Sequence, residues 1–412
     1  MNASILSQRI TDSRSLQLVL GIMLFLLLVI LLAVGIHAVM ADNTIGMDLH
    51  IFYLAAQNVF LHHESPYGED VAMQSQLSVF GRPANDGEDH MGFPYPPYSL
   101  LLLAPLASLP FSWVQAIWMA FFLMASVGAM LLVFPSRPFL PMIGVLLFFP
   151  FTFGIILGNF VNLIALVIIA AISQLLFARK PSKGIQILLG GLLAWATLKP
   201  QIIWIYLILF LLASLKKKYW PLLISFAISF SVFVGISFLL VPNWPALWLE
   251  RIGKYVDYMA HFPNITQYLI QLRPSAEVQT LTVALIALML GVTAWALFSW
   301  WEGKLPAQIL LAWVGIVTYL IHPTNVSYAQ ITFLIPLLVW AQNQRNQHGL
   351  PIAFFFWGAM ILSWAIFYLG QHGMLGPLVE EWRLVISCVW VFWLLIWPSV
   401  RQIQPVVPSR PV

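Results

Sequence analysis

Two ionisable residues stand where charge is expensive. Asp48 lies eight residues past the first long apolar run, in Gly46-Met47-Asp48-Leu49-His50-Ile51-Phe52-Tyr53. A carboxylate held at a membrane–water boundary is partly desolvated, which raises its pKa and strengthens it as a proton acceptor. The competing reading makes Asp48 a helix N-cap or first-turn residue of an amphipathic helix over 49–61, satisfied by backbone N–H groups. Lys199 falls in Leu198-Lys199-Pro200-Gln201, between apolar runs 185–198 and 202–214 of only 14 and 13 residues. That spacing puts the lysine short of the surface. Non-helical backbone at such depth is tolerated only where it lines a cavity or is buried in protein. Lys199 is thus the floor of a site, unless its ammonium snorkels outward or pairs with an acid.

The elements that must position these residues are membrane spans. Of 412 residues, 61% are hydrophobic and 8% charged, and the mean hydropathy is +0.88. Soluble chains carry about 25% charged residues, so a soluble enzyme, a disordered scaffold and a nucleic-acid binder are excluded. The apolar runs cover 18–40, 112–134, 139–156, 160–178, 185–198, 202–214, 219–241, 278–301, 305–321, 326–341, 350–370 and 384–399, which predicts an all-α polytopic membrane protein with about twelve transmembrane helices in one integral domain, 1–412. The first run is too long for a signal-peptide core and stays as an anchor. Arg137, Arg179, Lys180, Lys183, Lys216–Lys218, Lys304, Arg345, Arg401 and Arg410 fall at every second turn. The positive-inside rule then places those turns and both termini in the cytoplasm of a cell membrane. Arg82, Arg251, Lys254, Arg273 and Arg383 fall in outward loops and need other reasons. The short run 98–109, between Pro97 and Pro110, is expected to be a juxtamembrane helix on the outer face.

More than half of the 15 acidic residues crowd the first outer loop, 41–111: Asp42, Asp48, Glu64, Glu69, Asp70, Asp86, Glu88 and Asp89. The second long outer loop, 242–277, carries Glu250, Arg251, Lys254, Asp257, Arg273 and Glu277 beside Trp244 and Trp248. Polar chemistry therefore faces outward over an apolar basin, as it would in an enzyme with a lipid-borne substrate or in a gated transporter. Asn159 and Asn162 stand at a helix entrance, where they contact a sugar or cap the helix. His322, Asn325 and Tyr328 lie at another outward turn. His62-His63-Glu64 and Asn85-Asp86-Gly87-Glu88-Asp89-His90 lack the spacing of a cation loop and are read as solvated turns. Cys388 stands alone, so no disulfide framework and no cysteine-rich metal site is expected, and no residue pattern calls for a cofactor.

The run Asp48-x-x-x-Phe52-Tyr53-x-Ala55-Ala56, followed by Ser65-Pro66-Tyr67, Phe93-Pro94-Tyr95-Pro96-Pro97-Tyr98-Ser99-Leu100-Leu101 and Ala104-Pro105-Leu106-Ala107-Ser108-Leu109-Pro110, resembles the opening of glycosyltransferase family 87, the bacterial polyprenol-phosphate-mannose-dependent mannosyltransferases of the GT-C superfamily. Gly158-Asn159-Phe160-Val161-Asn162 resembles the family's Gly-Gln-x-Asn segment, with Asn159 where Gln is usual. Leu198-Lys199-Pro200-Gln201 resembles its lysine–proline break after a glycine-rich helix, here Gly190-Gly191-Leu192-Leu193. The resemblance covers about 45–215; Ile321-His322-Pro323-Thr324-Asn325-Val326-Ser327 departs from the more usual Ser-Pro start.

The resemblance implies a GT-C fold and inverting, metal-independent transfer of a hexose, mannose, from a polyprenyl-phosphate donor to a lipid or glycan acceptor on the outer face of a bacterial plasma membrane. It assigns Asp48 as the base. The residues' own chemistry adds Lys199 as the cation on the donor phosphate, with Arg251 either a further phosphate ligand or an anchor of its loop at anionic headgroups. Phe52, Tyr53, Tyr95, Asn159, Asn162, Gln201 and His322 are assigned to the substrate. The alternative is a transporter or flippase of a lipid-linked saccharide; against it, the acids cluster in one outer loop and no internal repeat is clear.

Overall fold

The computed structural model describes residues 3–322 except 44, 86, 87, 134–138, 178, 179 and 260–274, and beyond 322 only isolated positions between 328 and 369. All regular structure among the described residues is helical. Among the described residues, four helices are long and apolar enough to cross a membrane: α1 (Ala3–Met40, apolar from Val19), α4 (Phe111–Val133), α10 (Trp220–Leu240) and α12 (Ala276–Trp301). Shorter apolar helices pack among them: α7 (Val161–Ala171, continued by a π turn Ile172–Phe177), α8 (Lys183–Ala196), α9 (Pro200–Lys216) and α13 (Ala307–Leu320). The chain is a membrane protein. The expected spans 326–341, 350–370 and 384–399 lie largely outside the described residues.

Two expectations need correction. The run 139–156 is two helices, α5 (Phe139–Leu147) and α6 (Phe149–Leu157), broken at Phe148 with φ −69° and ψ 110°. Pro150 has no N–H to offer the Leu146 carbonyl, and the Thr152 hydroxyl takes that carbonyl instead. The run 98–109 is not an α-helix but two 3₁₀ turns, Pro97–Leu102 and Ala104–Leu106, because Pro97, Pro105 and Pro110 remove the donors a longer helix would need.

The loop after α1 folds into α2 (Met47–Gln57, extended by a π turn Asn58–His62), α3 (Glu69–Phe80) and the two 3₁₀ turns. The loop after α10 opens with α11 (Trp244–Met259). It carries the reasons for two of the exceptional basic residues. Arg251 is buried and donates to the Tyr67 and Gly68 carbonyls at 3.3 Å, and Lys254 meets Glu69 at 2.8 Å. Trp248 adds a bond from Nε1 to the Pro94 carbonyl at 3.0 Å. Arg82 forks onto Glu88 at 2.8 Å on both nitrogens; Glu88, held well below the ordinary carboxylate range at about 2 by Arg82, also accepts from the Asn85 amide. Arg273 and Arg383 lie outside the described residues.

α1 lies along α4, with His37 stacked on Trp113 at 3.8 Å and Phe25 edge-on to Phe121. α8 and α10 approach closely at Gly190, where a Cβ would sit 2.5 Å from the Leu222 carbonyl oxygen. Ser225 Oγ seals that contact by donating to the Ile187 carbonyl at 2.7 Å.

Candidate active site

The site is made where helices begin. Gly158 ends α6 with φ +74°, a conformation that costs other residues strain. A Cβ there would come within 2.6 Å of Leu49 Cβ. The Gly158 carbonyl is held by Trp118 Nε1 at 2.9 Å. This tight turn carries Asn159 against α2, and Asn159 then joins the two charges that stood out in the sequence. Its Nδ2 donates to Asp48 Oδ2 at 2.7 Å, and its Oδ1 accepts from Lys199 Nζ at 3.3 Å and from the Val161 amide at 3.0 Å. Carboxylate, amide and ammonium thus form one bonded line.

Asp48 is the second residue of α2, whose N-cap is Gly46, and its side chain makes no capping bond. It is therefore a first-turn acid with a long-range partner, not a cap. The carboxyl is half-buried. Burial pushes its pKa up to about 6, against the Asn159 bond that lowers it; nearby Asp89 adds to the rise, and Lys199 opposes it. Lys199 occupies the break between α8 and α9 with φ −124° and ψ 75°, immediately before Pro200. It is buried. The N-terminal turns of α2, α7 and α9 meet around this line, and helix N-termini favour negative charge.

Rings surround it. Phe52 stacks on Phe160 at 4.6 Å and meets Tyr95 edge-on at 5.0 Å; Trp118 and Trp195 close on the other edges of Phe160. Tyr95 is held by its own backbone, since Tyr67 Oη donates to the Tyr95 carbonyl at 2.7 Å, and the Arg251 bonds to Tyr67 and Gly68 fix that tyrosine in turn. Burial drives the Tyr95 phenol well above its ordinary range, with Asp48 adding to the rise. Lys199 Nζ lies 4.7 Å from the centre of the Tyr328 ring and 5.7 Å from that of Tyr95.

Asp48, Asn159, Lys199, Tyr95 and Phe52 are thus brought together. The other residues named from sequence hold different posts. Tyr53 donates to the Leu109 carbonyl at 2.8 Å and accepts from Gln57, tying α2 to the 3₁₀ segment. Asn162 donates to the Phe151 carbonyl at 2.6 Å, binding α7 to α6. Arg251 serves the junction of the two loops. Gln201 stands half-buried in the first turn of α9, and His322 is buried just beyond α13. Sequence patterns did not single out Asp89, Tyr255 or the lysine-facing role of Tyr328. The charge of Asp89 adds to the rise at Tyr95. The available signal was the crowding of acids and aromatics in the two loops. Among the described residues no three His, Cys, Asp or Glu side chains converge on a metal position.

The model of glycosyltransferase family 87 matches residues 93–323, more than half of the chain. The chain belongs to glycosyltransferase family 87. It is therefore an enzyme that moves a sugar from a donor to an acceptor. The family 87 match takes in Tyr95, Asn159, Asn162, Lys199, Gln201, Arg251 and His322, and it begins after Asp48, Phe52 and Tyr53. It runs further towards the C-terminus than the motif resemblance over 45–215 and starts later. No curated protein and no solved structure matches the chain.

Proposed function

We propose that this family 87 enzyme transfers a hexose, mannose, from a polyprenyl-phosphate carrier to a lipid or glycan acceptor, with inversion and without a metal ion. Asp48 takes the proton of an acceptor hydroxyl. The freed oxygen attacks the anomeric carbon in line. The bond from that carbon to the phosphate oxygen breaks, and its electron pair leaves with polyprenyl phosphate. Lys199, aided by the N-terminal ends of α7 and α9, meets the departing anion. Tyr95 walls the sugar. The setting is a twelve-span GT-C arrangement in a bacterial plasma membrane, with both loops and the site on the outer face and both termini cytoplasmic.

The observation that carries this reading is the line Asp48–Asn159–Lys199. It puts a proton acceptor with a pKa of about 6 and a buried cation at the two ends of one amide. A base tuned near the working pH is the efficient one, and a cation in a dry site stabilises developing negative charge strongly.

The test is transfer of radiolabelled mannose from polyprenyl-phosphate mannose by the purified protein in lipid nanodiscs supplied with a membrane-lipid extract. Label should move to a new lipid product with or without chelator, and Asp48→Asn should stop it. An intact donor in every arm would overturn the donor class. Full activity in Asp48→Asn would overturn the base.

A further inference from the structure

The Lys199 ammonium has an unusual set of neighbours. It is buried, and its one hydrogen bond among the described residues goes to a neutral amide oxygen, Asn159 Oδ1. Asp48 is held one amide further on. What lies against the ammonium itself is ring surface: the Tyr328 face at 4.7 Å and Tyr95 at 5.7 Å. A desolvated ammonium over an aromatic face is attracted to the ring quadrupole without being neutralised by it. A carboxylate in the same place would have to be displaced before an anionic ligand could use the charge; a ring does not. Tyr328 is itself buried, so its position is set by packing.

We propose that Tyr328 is a positioning residue that holds the Lys199 ammonium for the phosphate of the donor through its ring face, not through its hydroxyl. The inference rests on the donor assignment above and extends it to a residue beyond the family 87 match, which ends at 323. The cage holds the amine buried against ring surface, with no carboxylate to displace, until the phosphate arrives. Tyr95 closes its second side, so the same tyrosine that walls the sugar touches the phosphate ligand.

The experiment measures binding of polyprenyl monophosphate, the product anion, to the protein in nanodiscs. The variants are Tyr328→Phe, Tyr328→Leu, Lys199→Met and Lys199→Met with Tyr328→Leu. Wild type and Tyr328→Phe should bind alike. Tyr328→Leu should bind about ten- to thirty-fold more weakly, the size of a desolvated cation–π contact. In the Lys199→Met background the same Leu substitution should cost nothing more, because its effect passes through the ammonium. A Phe variant as weak as Leu would overturn the ring-face assignment. An equal loss in both backgrounds would mean that Tyr328 only supports packing, and would overturn the inference while leaving the donor class standing. Failure of the wild type to bind would overturn the donor reading and this inference with it.

Discussion

The molecule contains two kinds of apolar helix, and they differ in whether anything interrupts them. α1, α10 and α12 run unbroken, and only 11%, 11% and 22% of their most apolar stretches is buried. α6 and α7 are parted by the turn at Gly158, and α8 and α9 by the break at Lys199; every side chain of α7 is buried. A long helix satisfies its own backbone and so can be left to lipid. A broken one exposes N–H groups at its new start, and those starts must be turned towards something that accepts them. Here the start of α7 donates its Val161 amide to Asn159 Oδ1, and the start of α9 carries Lys199. Among these helices, length goes with an exposed apolar face and interruption with the candidate site; α4, unbroken and 50% buried over its apolar stretch, stands between the two kinds.

The sharpest way to break that division is at the interrupted end. Asp48→Asn should cost about two to four orders of magnitude in transfer rate, the usual span for a lost general base. It should do so without lowering the melting temperature at pH 7. The sign follows from linkage. The folded carboxyl titrates near 6 and the ordinary one at 3.8, so the fold binds the proton more tightly, and stability falls as pH rises through that window. An uncharged side chain removes that cost. A melting temperature well below wild type would instead make Asp48 a structural residue.

Next comes Asn159→Ala. The bond from Asn159 lowers the Asp48 pKa, so its loss should move the acid limb of the rate profile above pH 6, towards higher pH, as well as slow the reaction. An unmoved limb would separate Asn159 from the base. Gly158→Ala forces a Cβ against Leu49 at a positive φ and should destabilise by about 1–3 kcal/mol, with activity falling as α2 shifts. Gly190→Ala meets the Leu222 carbonyl and should lower thermal stability by a similar amount, about 1–3 kcal/mol; its effect on transfer should be smaller than that of Gly158→Ala.

The smallest effect belongs to the uninterrupted helices. Gly235 in α10 has nothing within 4 Å of its Cβ direction. Gly235→Ala should leave transfer unchanged and hold or raise stability, since alanine is the better helix former by about 1 kcal/mol. A marked loss of activity there would erase the contrast between the two kinds of helix.

The same contrast governs how much could be read from the chain alone. Runs 112–134, 219–241 and 278–301 return as α4, α10 and α12 with ends shifted by a residue or two. Continuous hydrophobicity over some twenty residues has few other solutions. The break at Lys199 was legible too, because a lysine before a proline inside an apolar stretch has no ordinary reason to be there. Phe148 was not: nothing in 139–156 is charged, and the interruption comes from the missing N–H of Pro150. Least legible were partners. Asp48 meets Asn159 across 111 residues, and a polar side chain carries no local mark of whom it will bond. Hence Tyr53, Asn162 and Arg251, chosen for their types, turned out to be tied to backbone carbonyls.

The spread of the site along the chain, at positions 48, 159, 199 and 328, bears on biogenesis. At ribosomal speeds of about 5–20 residues per second, Asp48 leaves the tunnel on the order of tens of seconds before Tyr328. Through that interval the nascent chain carries the acid and then the lysine without Tyr328. A chain cut short before 328 would carry Asp48, Asn159 and Lys199 without the ring whose centre lies 4.7 Å from the lysine nitrogen.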